Sequence, residues 1–223
     1  FGLLVLYSVI KFIPYIKPLP DTGFRGQFKF FKSLAPWLLI FAVIMGNGGI
    51  FCMYSYINPL LVNASGVEPK YVSFLMVLAG AGMCFGNTFG GKLSDKFSPA
   101  LIAGNTQLLA GIALLMMFFL AGNPFLAVSI MCICTACLFA VSAPQQVLLI
   151  ENAKGGEMLG ASCSQISFNL GNALGAFIGG LPVAHGLGYE YTALPGALFA
   201  FIGFSLLFYF YKKYEKIKYQ QSN

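Results

Sequence analysis

The sequence predicts an all-α protein that lies in a membrane, with six full spans preceded by the end of another helix. Hydrophobic residues make up 58% of the chain and charged residues only 9%, whereas soluble proteins carry about 25% charged residues. Residues 97–150 and 158–189 contain no Asp, Glu, Lys or Arg. A chain this poor in charge cannot give a globular fold a hydrated surface, so its predicted solvent is lipid.

Six apolar stretches are long enough to cross a bilayer, since about 20 helical residues span a hydrocarbon core of roughly 30 Å. Pro18, Pro20 and Gly23 break any helix that precedes them. Because Phe1 already lies in an apolar run, we expect a longer protein whose amino-terminal half is missing here. The predicted order is the end of a transmembrane helix at 1–13, a cytoplasmic linker at 14–34, a transmembrane domain at 35–211 with spans at 35–59, 71–91, 99–121, 124–149, 158–182 and 191–211, and a cytoplasmic tail at 212–223.

The basic residues indicate the orientation of these spans. If the linker is cytoplasmic, every Lys and Arg except Lys70 lies on the cytoplasmic side, as the positive-inside rule requires. The net charge of +6 then reflects topology and attraction to anionic lipid, and no nucleic-acid partner is predicted. We expect an integral protein of a bacterial cytoplasmic (inner) membrane with a cytoplasmic carboxyl terminus.

Residues that would carry covalent chemistry are not arranged for it. Cys134 and Cys137 form a Cys-x-x-Cys pair in mid-membrane without a His or a second pair nearby, so we interpret them as small packing residues. No nucleophile–base set, phosphate-binding loop or metal-ligand set is present in the sequence. The chain is therefore predicted not to be an enzyme and to need no metal or cofactor.

The segment 90–97 reads Gly-Gly-Lys-Leu-Ser-Asp-Lys-Phe and resembles the Gly-x-Leu-Ala/Ser-Asp-Arg/Lys-x-Gly loop signature of the major facilitator superfamily. It departs from that signature at Ser98, where Gly is usual, and at Pro99, where a basic residue is usual. In that family the loop is a gate latch whose Asp lies near the positive end of a helix in the opposite half. The alternative is an ordinary basic loop. The resemblance assigns the latch to Asp95, and the predicted gating loop comprises Gly91, Lys92, Leu93, Asp95 and Lys96.

A second likeness lies in residues 169–180 and 186–189, which are similar to the eleventh helix and following loop of arabinose-efflux-type permeases in the drug:proton antiporter branch. It implies that the six spans are helices seven to twelve of a twelve-helix fold. The implied function is secondary transport by alternating access, with efflux of a sugar or small amphipathic compound coupled to protons. No span contains a carboxylate, so the proton-binding group is expected in the missing half.

Polar residues recur at helical spacing in three spans, and polar groups inside a membrane usually face a cavity or the bundle interior. In the resembling family these three helices contribute to the central cavity. The alternative is hydrogen bonding between helices. Pro144 is expected to kink the fourth span. The predicted substrate-facing residues are Asn47, Tyr54, Asn58, Thr135, Ser142, Gln146, Gln165, Asn169 and Asn172.

Two spans carry glycines at every fourth position, which lets helix backbones approach closely. The glycines serve static packing, a smooth sliding surface between two halves that rock against each other, or both. If all these stripes serve packing alone, the chain is instead a structural or assembly membrane protein, or a half-size unit that dimerises. The predicted packing residues are Gly82, Gly86 and Gly90 in the second span and Gly171, Gly175 and Gly179 in the fifth.

Overall fold

The computed structural model describes residues 2–12, 28–153 and 155–216, and within these ranges the chain is helical without any β-strand. The predicted all-α class is confirmed. Most of the predicted linker and the last residues of the predicted tail lie outside the described residues. The main helices are α1 Gly2–Phe12, α2 Leu34–Tyr54, α3 Pro69–Lys96, α4 Pro99–Leu120, α5 Pro124–Ala140, α6 Ser142–Glu151, α7 Glu157–Ala184 and α8 Ala193–Phe210.

Six helical stretches are long and apolar enough to cross a membrane, as the sequence predicts. The fourth stretch joins α5 and α6, and the sixth runs over Tyr189–Glu215 around α8. The first is shorter than expected: α2 ends at Tyr54, and the chain continues as a single turn at Ile57–Pro59 and a π-helical turn at Leu60–Ala64. Pro59 has no N–H to donate to the preceding turn, which accounts for this early end.

Three of the spans begin with a proline at the first helical position, where a missing N–H costs nothing. These residues are Pro69, Pro99 and Pro124. Ahead of Pro124, the Asn123 side chain accepts hydrogen bonds from the next two available N–H groups at 3.0 and 3.2 Å. The connections ahead of Pro99 and Pro124 are only a few residues long, so the helices that they join run antiparallel.

The first span, α2, is the centre of the bundle. It packs most extensively against α7 and α8, while α8 also packs on α4, and α3 packs mainly on α5. The core lies in two clusters along the helices. One surrounds Met53, Leu114 and Met131, and the other surrounds Leu39 and Leu207 together with the aromatic residues next to them.

Glycines spaced four residues apart bring α7 onto α2. A methyl group at Gly171, Gly175 or Gly179 would collide with the α2 backbone. Small residues at this spacing allow the close approach of two helices in a membrane. The atoms that a methyl group would meet are the carbonyl oxygens of Ile44, Gly48 and Cys52.

The second glycine row brings α3 onto α5 in the same way. A methyl group at Gly86 or Gly90 would collide with the carbonyl groups of Ala136 and Ala140, and one at Gly82 would lie 3.0 Å from the Cys132 carbonyl oxygen. Both rows therefore face helices of this same bundle. The hypothesis of a sliding surface between two halves does not fit these contacts, because the glycine faces are already covered.

The helix of the fourth span is interrupted just ahead of Pro144, where the sequence predicts a kink. The first part of that span ends at Ala140 and the second begins two residues later. Because proline lacks an N–H, the Ala140 carbonyl loses its usual donor four residues ahead. That carbonyl is the one that Gly90 approaches, so the kink and the glycine row lie at the same height of the bundle.

Candidate functional site

A cavity of about 470 Å³ opens between α2, α7 and the kinked fourth span. Seven of the nine residues predicted to face substrate line it. Its polar lining consists of Asn47, Tyr54, Ser142, Gln146, Gln165, Asn169 and Asn172.

The other two predicted residues do not line this cavity. Thr135 is fully buried; its hydroxyl donates to the Cys132 carbonyl at 3.1 Å and lies against Gly82 of α3. Asn58 is exposed on the short turn beyond α2. Its predicted placement assumed that the helix continued straight through Pro59, and the early end of α2 turns this residue away.

The apolar part of the lining was not predicted, because the search followed polar residues. Phe51 lies one turn from Asn47, and Phe168 lies one turn from Asn172, so helical spacing could have found both. The remaining apolar lining residues are Met83, Leu138 and Phe139, which extend the cavity wall to α3 and α5.

The lining combines polar and apolar side chains and carries no Asp, Glu, Lys, Arg or His. Asn47 is only 1% exposed, and its amide oxygen has no hydrogen-bond partner among the described residues; the same holds for the amide oxygen of Asn172. Amide groups both donate and accept hydrogen bonds, and unpaired polar groups are costly away from water. The wall therefore offers hydrogen-bond donors and acceptors beside apolar side chains.

One buried amide that the sequence analysis missed supports this wall. Gln107 of α4 donates from Nε2 to the Ala42 carbonyl at 3.2 Å. Its side chain occupies the space beside Gly46 and Gly203 that a side chain at either position would need. Since Gly46 immediately precedes Asn47, Gln107 helps to set the position of α2 at the cavity. No local pattern in the sequence indicates this contact between three helices.

The predicted gating loop is helical, which corrects its description as a loop. Residues 91–96 form the last turns of α3, and only Phe97 and Ser98 connect α3 to α4. The Phe97 N–H still bonds to the Leu93 carbonyl at 2.9 Å. No Gly or Pro stands between Gly91 and Pro99, so nothing interrupts the helix before it ends at Lys96. Lys92, Leu93, Asp95 and Lys96 are exposed, and Gly91 is half-buried.

No group of three or more His, Cys, Asp or Glu residues placed to hold a metal occurs among the described residues. What these residues do form is a bundle of long apolar helices, packed through glycines and kinked beside an uncharged polar cavity. This is the architecture of a membrane transporter of the helical type.

The chain belongs to the Major Facilitator Superfamily, whose family model matches residues 1–163. It is 43% identical to the putative transporter AraJ of Escherichia coli K12 over 216 residues, which are 97% of this chain and 55% of that protein. It is 34% identical to the inner membrane transport protein YdhP of the same strain over 207 residues, 90% of this chain and 53% of that protein. The chain thus spans about half the length of these relatives.

The fold agrees with the same family. A crystal structure of the Major Facilitator Superfamily transporter FucP in the outward conformation superposes with a TM-score of 0.76 at 17% identity. The match covers 94% of this chain and 51% of FucP. At this identity the likeness is one of fold, and it confirms a six-helix half of the major facilitator architecture.

Proposed function

We propose that the complete protein is a secondary transporter that works by alternating access and exports a sugar or small amphipathic compound, coupled to protons. The observation that carries the proposal is the cavity, where three helices bring amide, hydroxyl and phenol groups together beside aromatic rings. The relatives are described as transporters, which supports transport over a structural, assembly or dimerising role.

The lining supports a neutral substrate. A charged substrate would need an opposite charge or many oriented dipoles in exchange for its hydration, and this wall offers only neutral groups. Hydroxyl groups of a sugar would pair with Asn169 and Gln146, and its C–H faces would lie on Phe51 and Phe168. A neutral amphipathic compound would use the same two surfaces.

The proposed gate is Asp95, on the last turn of α3. Its exposed carboxylate is free to approach a helix amino terminus in the other half, where the helix dipole attracts a negative charge. Lys92 and Lys96 beside it would contact lipid phosphates or acidic partners. Breaking the attraction with Asp95→Asn should impair transport and leave membrane insertion intact.

The other half of the proposed transporter would be the missing amino-terminal part, and it would carry the proton-binding group. Exposed aromatic residues on α3 and α7, among them Phe85, Phe89 and Phe177, would be covered by that half or by lipid. The name of the relative YdhP supports placement in a bacterial inner membrane. Lys212 and Lys213 near the end of the last span support a cytoplasmic carboxyl terminus.

The test uses the complete protein in proteoliposomes with L-arabinose, chloramphenicol and ethidium as probes. We expect the neutral probes to be carried, faster when a pH gradient is imposed, and cationic ethidium to be excluded. Transport of ethidium alone would contradict a neutral substrate. Transport that does not respond to the gradient would contradict proton coupling, and no transport of any probe in protein that inserts and folds would contradict the efflux proposal for these compound classes.

A further inference from the structure

A buried carboxylate lies at the end of the last span, and the proposed transport mechanism does not use it. Glu215 is only 6% exposed. Its Oε2 atom accepts two hydrogen bonds, one from the Ser98 hydroxyl and one from the Ala100 N–H at 3.3 Å. Glu215 follows α8, whereas Ser98 and Ala100 begin α4. The contact therefore joins two helix ends that are more than a hundred residues apart in the chain.

This contact provides acceptors for the first free N–H groups of α4. Pro99 has no N–H, so the first donor of the helix that needs a partner is Ala100, and Glu215 supplies it. The next donor, Leu101, bonds to the Ser98 hydroxyl oxygen at 3.2 Å. A hydroxyl can donate and accept at once, so Ser98 caps the helix while it donates to Glu215. The positive end of the helix also favours the carboxylate charge.

The two positions that depart from the gating signature, Ser98 and Pro99, lie at this contact. Ser98 stands where Gly is usual, and it provides the hydroxyl of this contact. Pro99 stands where a basic residue is usual. It has no N–H to donate, so Ala100 provides the N–H that donates to Glu215. Asp95 lies three residues before Ser98 at the end of α3, with a single residue between α3 and Ser98. Because Ser98 is hydrogen-bonded to the last span, the end of α3 that carries Asp95 is held near that span as well.

We propose that Glu215 is a positioning residue for the Asp95 gate: its contact with Ser98 and Ala100 holds the end of α3 at a set place relative to the last span. The inference rests on the proposed gating role of Asp95. Glu215 acts through that residue and touches no substrate. Losing its carboxylate should therefore shift the exchange between open states in the same direction as losing the Asp95 charge.

The experiment follows how accessible the cavity is in the complete protein. A reporter cysteine replaces Gln146 at the cavity, and its reaction with a membrane-impermeant maleimide in inside-out vesicles is quantified by peptide mass spectrometry. We expect Glu215→Ala to change the labelling rate at least threefold, in the direction that Asp95→Asn changes it. Glu215→Gln keeps an acceptor oxygen and should return the rate to within twofold of the parent.

The matched control is Glu157→Ala. Glu157 also lies at a helix start, but it accepts from the nearby Gly155 N–H at 3.1 Å, so its loss should leave the labelling rate unchanged. Ser98→Gly attacks the contact from the other side, because Gly is tolerated as an N-cap. It should reproduce the effect of Glu215→Ala even if that variant does not insert.

Combination with Asp95→Asn separates positioning from loss of stability. In the Asp95→Asn background, Glu215→Ala should add no further change in labelling. An additive change, or an unchanged rate in both Glu215→Ala and Ser98→Gly while Asp95→Asn has its effect, would overturn this inference alone. An unchanged rate in Asp95→Asn itself would instead identify failure of the gating proposal on which it rests.

Discussion

The α2–α7 contact and the α3–α5 contact use the same glycine spacing but form different walls of the cavity. On α2 and α7 the close-packed glycines stand next to amides: Gly48 follows Asn47, and Gly171 precedes Asn172. On the other side, α3 and α5 give the cavity apolar side chains, including Met83. Close packing alone therefore does not make a polar site. An amide beside a close-packed glycine is not sufficient either, since Asn87 follows Gly86 and does not line the cavity.

The largest expected effect is loss of the α2–α7 contact in Gly175→Val. A side chain here would run into the Gly48 carbonyl group, and overpacking typically costs about 1–3 kcal/mol and sometimes more. We expect the top of that range, measured as thermal unfolding of the complete protein in lipid nanodiscs. Gly80→Val is the matched control, since nothing lies within 4 Å of a methyl group there; equal losses in both variants would refute the contact.

A smaller change tests whether the two walls are separable. Gly171→Ala and Gly86→Ala each place one methyl group against a backbone carbonyl, and each should cost about 2 kcal/mol of stability. Only Gly171→Ala moves the neighbouring Asn172 and should weaken substrate binding as well. The half-saturating concentration for the carried neutral probe measures this. If Gly86→Ala weakens binding as much as Gly171→Ala, the division into two walls is wrong.

The sequence predicted the polar wall from two observations together. Helical spacing places Asn47, Gln165 and Asn169 in polar stripes, and the family resemblance assigns the helices that carry them to a central cavity. The sequence misplaced Asn58 because Pro59 ends the helix that the spacing assumed. The contacts of Gln107 and Glu215 could not be predicted in this way. Each joins helices that are distant in the chain. The groups that they contact, Gly46 and Gly203 for Gln107 and the Ser98 hydroxyl for Glu215, follow no repeating pattern in the sequence.

The next effect in size concerns the amides. Asn169→Ala and Gln146→Ala each remove a group that would hydrogen-bond to substrate, which is worth about 1 kcal/mol and so corresponds to roughly a fivefold loss of affinity. Asn58→Ala removes the same amide outside the cavity and should leave the half-saturating concentration unchanged. Affinity equal to the parent's in both cavity variants would reject this wall as the substrate site.

The smallest effect is expected at Thr135, which the sequence assigned to the substrate and which the structure places between α3 and α5. Thr135→Val keeps the shape of the side chain and removes a hydroxyl whose hydrogen bond, to the Cys132 carbonyl, lies within its own helix. Such a bond adds little to a helix already complete, so thermal stability should change by less than about 1 kcal/mol. Substrate affinity should not change, because the hydroxyl does not line the cavity. A loss of affinity comparable to that of Asn169→Ala, with stability preserved, would return Thr135 to the site and extend the polar wall to α5.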